Sequence, residues 1–113
     1  MLLTLTSDEI EVIVRTIGVP LGAFGLDELV EKSGETKEAC AHLIETFEKY
    51  RDQSSESNIE MDKENLKKLS KIFDISAEIV DPIEMSIIVG YSWHEAMALS
   101  KKLHNLIEKG KEV

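Results

Sequence analysis

Cysteine and histidine, the side chains most often found as metal ligands or in nucleophilic sites, number four in this 113-residue chain: Cys40, His42, His94 and His104. Their spacing gives them neither role. No His pair has the HExxH spacing that sets two imidazoles on one helix face, and Cys40 and His42, two apart, diverge on a helix. His94 and His104 are too far apart in sequence to meet on adjacent turns. One cysteine makes no disulfide or cysteine cage, and Cys40 falls on an apolar stripe, where a thiol is inert. A nucleophile elbow, a phosphate loop, a dinucleotide fingerprint and paired catalytic carboxylates are all missing from the sequence. The expectation is a chain without metal, cofactor or catalytic activity.

Two other groups of residues suit recognition. Glu38, Glu45, Glu48 and Asp52 recur at helical spacing opposite an apolar stripe of Cys40, Leu43, Phe47 and Tyr50. Like charges so placed cost a few tenths of a kcal/mol per pair. Glu45 with Lys49 and Glu48 with Arg51 offer partial relief. Glu28, Glu31 and Glu35 on the preceding segment extend the acidic surface. The second group is Tyr91-Ser92-Trp93-His94, with the sole Trp in the first turn of a helix. Trp and Tyr anchor interfaces because they bury much area at little entropic cost. The commoner role of such a ring is to fold back over the core.

Charge narrows the class of partner. The net charge is −9; residues 1–56 hold twelve acids and five bases, and residues 57–113 ten acids and eight bases. A negative field repels phosphate backbones and draws in basic proteins. Lys101, Lys102, Lys109 and Lys111, even together with Lys67, Lys68 and Lys71, form too small a basic group to reverse that balance. Met1 to Ser7 contain no base, and no apolar run approaches the roughly 20 residues that span a bilayer. The reading is a cytoplasmic protein with no membrane contact.

The elements that carry these residues are written twice. Laid over itself without gaps so that Gly34 falls on Gly90, the chain sets Ile10 on Leu66, Ile13 on Leu69, Ile17 on Phe73, Phe24 on Val80, Leu29 on Met85, Leu43 on Leu99 and Phe47 on Leu103. Helix starts coincide under the same shift. Thr6 with Glu9 makes a capping box and Asp62 takes the matching place; Thr36 and Ser92 match likewise, with Ser92 and Glu95 as a second box. Asp81-Pro82-Ile83-Glu84 is a helix start opposite Gly25, and Gly34 and Gly90 each end a short helix. The pattern predicts helices over 7–18, 26–33 and 36–51, and again over 63–74, 82–89 and 92–109. Leu3-Thr4-Leu5 and Ile59-Glu60-Met61 alternate as short strands that pair across a pseudo-twofold axis. Residues 53–58 link the units. The expected architecture is one mainly α domain, 1–113, made of two β-α-α-α units, 1–56 and 57–113, sharing one core with a small two-stranded sheet.

A short helix, a glycine and a longer helix also resemble the helix–turn–helix motif, through Leu29, Gly34, Cys40 and Leu43 and again through Met85, Gly90, Ala96 and Leu99. The resemblance covers about 22 residues per copy and departs at Glu35, where that motif carries an apolar residue. It implies nucleic-acid binding, which needs Arg or Lys early in the second helix. The first copy offers Glu35, Glu38, Glu45 and Glu48 against Lys37 and Lys49, and in the second Lys101 and Lys102 sit far from the helix start.

The sequence therefore reads as a small acidic protein-binding module, of inhibitor or immunity type, that meets a basic partner. The partner residues would be Glu28, Glu31, Glu35, Glu38, Glu45, Glu48, Asp52, Tyr91, Trp93 and His94. The alternatives are a helix–turn–helix-derived regulator binding nucleic acid as an oligomer, and a structural homodimer.

Overall fold

Each long helix begins where a side chain caps it. In the computed structural model, which describes residues 2–22, 25–51, 56–81, 83 and 85–110 without the side chains of Met85 and Ile88, α1 (Ser7–Gly22) opens on a reciprocal box. The Thr6 N–H donates to Glu9 Oε1 at 2.9 Å and the Glu9 N–H to Thr6 Oγ1 at 3.1 Å. Asp62 accepts from the Asn65 N–H at 2.8 Å at the start of α4 (Lys63–Ile79), and Thr36 from the Ala39 N–H at 3.1 Å at the start of α3 (Lys37–Glu48). Ser92 Oγ accepts from the Glu95 N–H at 3.1 Å before α6 (Trp93–Gly110). Among the described residues that second box forms in one direction only, and Glu95 lines a groove beside α1.

The remaining elements are strand β1 (Leu2–Leu5), helix α2 (Leu26–Ser33), strand β2 (Ser57–Glu60) and a single π-helical turn, α5 (Met85–Val89). The protein is mainly helical with one small antiparallel sheet, β1 against β2, and Leu3 lies opposite Ile59 in its register. Leu3, Leu5 and Ile59 point inward while Leu2, Asn58 and Glu60 face water, the alternation expected of a ribbon with one covered face. The radius of gyration, 13.2 Å, matches the roughly 13 Å of a compact chain of this length.

One continuous core joins all the elements. Ile10, Ile13 and Ile17 of α1 meet Leu66, Leu69 and Phe73 of α4; Cys40, Leu43 and Phe47 of α3 close one side, and Ala96, Leu99 and Leu103 of α6 the other. α1 packs against α3, α4 and α5, and α4 packs against α6 and α2. Each short helix thus rests chiefly on a long helix from the other half of the chain. Among the described residues no helix is long and apolar enough to cross a membrane.

Four helix boundaries differ from the sequence reading. α3 stops at Glu48 rather than at 51, closing with the Tyr50 N–H donating to the Phe47 carbonyl at 3.0 Å, and β2 begins at Ser57, inside the expected linker. α1 runs a turn past residue 18 and includes Pro20, which is buried; the apolar packing of its ring offsets the helical hydrogen bond that its missing N–H forgoes. α4 likewise continues to Ile79, carried by buried Ser76 and Ala77. Over the expected helix 82–89 the described backbone winds as a π turn, and the Val89 carbonyl accepts from Arg15 Nη1 at 3.1 Å. Phe24, Asp52, the 53–55 stretch of the linker, and Pro82 and Glu84 of the expected cap lie outside the described residues, as does the Met85 side chain expected opposite Leu29.

Candidate functional site

α3 sets the acidic stripe. Cys40, Leu43 and Phe47 turn inward, so Glu38, Glu45 and Glu48 turn outward and are exposed. None of these three carboxylates forms an ion pair among the described residues. Arg51, expected to relieve Glu48, sends its guanidinium to Glu11 instead of leaving it in solvent, with Nε to Oε1 at 2.9 Å and Nη2 to Oε2 at 3.1 Å. Glu28 is exposed and pairs with Lys32 at 3.1 Å; Glu31 is exposed. Glu35 is half-buried and reaches Lys71 of α4 at 3.4 Å. Asp52, the last residue of the stripe, lies outside the described residues.

The aromatic group divides in two. Tyr91 is half-buried and belongs to a network within the fold's surface: its hydroxyl donates to Asp8 Oδ1 at 3.3 Å, and the Arg15 guanidinium stands 6.0 Å over its ring. Arg15 also pairs with Glu11 at 2.8 Å, so Arg51, Glu11, Arg15, Tyr91 and Asp8 form one chain of contacts from the end of α3 to the start of α6. The Arg51 hydrogen bonds hold the Glu11 carboxyl below the usual glutamate range, against its partial burial. Burial first, and then the Asp8 charge, push the Tyr91 phenol up. Trp93 and His94 lie at the surface, ring centroids 6.0 Å apart and nearly perpendicular.

Trp93 is 40% exposed and forms one wall of a groove of about 290 Å³ between α4 and α6, with Asp74, Glu78, Met97 and Ser100 around it. No residue of α3 takes part, so the acidic stripe and the Trp93 surface are separate features. A second groove, about 250 Å³, lies between the first turns of α1 and α6 over Val12 and Leu99. Two of its rim acids already serve the fold. Glu9 holds both the cap and Lys102, 2.9 Å away, and Asp8 accepts from Tyr91.

A polar cluster at the α4–α6 seam went unread in the sequence. Asp74 accepts from Ser100 Oγ at 2.5 Å and contacts His104 Nε2 at 2.6 Å, while Ser70 Oγ lies 3.4 Å from the same nitrogen. Two i,i+4 pairs, Ser70/Asp74 and Ser100/His104, were the available signal. The cluster combines Ser, His and Asp, yet it is no nucleophilic relay. Such a relay needs the acid on one imidazole nitrogen and the serine on the other, whereas both partners here face Nε2, and Ser70 is buried. Among the described residues no three His, Cys, Asp or Glu side chains gather where a metal ion could be held. Cys40 is fully buried, and burial, with the Glu35 charge, raises its thiol above the usual range. Comparison with protein families, curated proteins and solved structures finds no match for the chain.

Proposed function

We propose that the chain is a non-catalytic, cytoplasmic protein-binding module, of inhibitor or immunity type, that offers the outer face of α3 to a basic protein. The observation that carries this reading is the row that the α3 carboxylates form on one helix face. Glu9, Glu11, Glu28, Glu35 and Asp74 have basic partners within the fold, whereas Glu38, Glu45 and Glu48 keep a solvent-facing row without one among the described residues. Folding gains nothing from that repulsion, and an approaching cation relieves it. An acidic face also steers association and rejects nucleic acid.

The scaffold for this face is a duplicated β-α-α-α unit, one copy in 1–56 and the other in 57–113. Supporting it, the starts of α1 at Ser7 and α4 at Lys63 keep the same offset as those of α3 at Lys37 and α6 at Trp93. Gly34 and Gly90 both take positive φ, 72° and 85°. Contacts also recur under exchange of the two units. Leu3 faces Ile59, its own equivalent; α1 packs on α3 as α4 packs on α6, and α2 rests on α4 as α5 rests on α1. Lys71 reaching Glu35 repeats Arg15 reaching Tyr91. Even the grooves correspond: one over Leu99 and Glu9, another of about 290 Å³ over Leu43 and Asn65.

The test is charge reversal at Glu38, Glu45 and Glu48 to Lys, followed by pull-down from lysate of the native organism. The triple variant keeps its melting temperature, because none of the three has a partner to lose, and loses a basic protein that the wild type retains. Retention of the same proteins by both would overturn the reading. Self-association is the second reading, favoured by its own observation. Ile83 and Ile87, one helical turn apart in sequence, are 71% and 75% exposed, where the first unit carries Asp27 and Glu31. A homodimer through them would dissociate on dilution and on Ile87→Glu, read by sedimentation velocity.

A further inference from the structure

Where two copies of one unit differ at a surface position, the scaffold does not demand the residue found there. The groove between α4 and α6 is built from such differences. Trp93 stands where the first unit has Lys37, Met97 where it has Ala41, Asp74 where it has Gly18 and Glu78 where it has Gly22. Side chains at Gly18 and Gly22 would meet nothing within 4 Å, so the first unit folds with empty space at those two positions. The second unit fills the equivalent space with an indole, a thioether and two carboxylates.

The geometry points to this groove as a receptor for an arginine side chain of a partner protein. An indole face attracts a planar cation, and a guanidinium can stack on it while its edge donates to carboxylates. The groove supplies both parts and no base lines it. Asp74 is already fixed by Ser100 and His104, which hold its carboxylate in place along one wall. Glu78 is exposed and has no ion pair among the described residues, which leaves it to take the donor. Met97, half-buried, offers a soft apolar floor for the methylene stem. The chain's net charge of −9 favours the approach of such a partner. Arginine suits the site better than lysine, whose compact, strongly hydrated ammonium neither stacks nor forks.

This inference takes from the preceding reading the duplicated unit and the source of the arginine, a basic protein. Its test needs no partner. Trp93 is the sole Trp of the chain, so its fluorescence reports the groove alone. Acetyl-Gly-Arg-Gly-amide is titrated against the full chain, alongside the citrulline peptide, which has the same shape without the charge. The arginine peptide should shift Trp93 emission saturably and the citrulline peptide should not. Glu78→Gln should weaken binding about tenfold, the loss expected of one charge-assisted contact. Amide NMR shifts should be confined to Ala77, Glu78, Trp93 and Met97, and should persist, weakened, in Trp93→Phe. No saturable shift, equal binding of citrulline, or indifference to Glu78→Gln would overturn the assignment. The α3 charge reversal is read on a different surface with a different ligand, so either result can fail while the other stands.

Discussion

Glu11 is held by Arg51 in two hydrogen bonds and by Arg15 in a third contact. Its carboxyl is pulled below the usual range, so its stabilising contribution is complete above about pH 4.3 and fades as acid protonates it. Glu11→Gln should therefore cost about 1 kcal/mol at pH 7 and much less at pH 3. Urea midpoints of the two proteins at both values measure this; a constant gap would show that the charge is not the cause. Ser76 presents the opposite case. Its hydroxyl is fully buried and is the one buried side-chain polar atom without a partner among the described residues. Ser76→Ala should raise stability by about 1 kcal/mol, seen as a later urea midpoint with unchanged slope. Neither effect was legible in the sequence, where Glu11 and Arg51 stand far apart along the chain and Ser76 looks like any helical serine.

Helix boundaries depend on individual residues, and the glycines sort into those the fold needs and those it tolerates. Gly25 sits at φ 109°, and a Cβ there would come within 2.9 Å of Ile79 Cγ2. Gly25→Ala should cost about 2 kcal/mol, through strain and displacement of α4. Gly18, inside α1 with open space around it, should instead gain about 0.5–1 kcal/mol on replacement by Ala. Thermal melts of the two variants should move in opposite directions. The element order and the helix starts were readable because capping is local: Thr6, Thr36, Asp62 and Ser92 each act on the first turn that follows them. The continuation of α1 through Pro20 was not, because burial against distant residues outweighs local propensity. The same holds for the Trp93 groove, whose walls come from two helices that α5 separates in the chain.

Across the whole molecule, neither half of the sequence closes on itself. β1 has its hydrogen-bonding partner in β2, α2 packs on α4 and α5 packs on α1. The fragments 1–56 and 57–113 should each show little helical circular dichroism alone and recover it when mixed, with one transition in urea. An ordered 1–56 fragment would show that the shared core is not required. The exchange of short elements could be anticipated from the internal offset, which placed the strands together. Which long helix each short one covers could not, since the apolar stripe of α2 is compatible with either.

The pairing of Leu3 with Ile59 also sets an order of events during synthesis. Translation adds about 5–20 residues per second, so β1 leaves the ribosome about 3–11 s before the strand that completes it. During that delay Leu3, Leu5 and the side of α1 that α4 will cover lack their lasting neighbours. The nascent chain can lay α1 on α3 but lacks the cover of β2 and α4 until its second half arrives, and in that window a chaperone at the ribosome has the most apolar surface to hold.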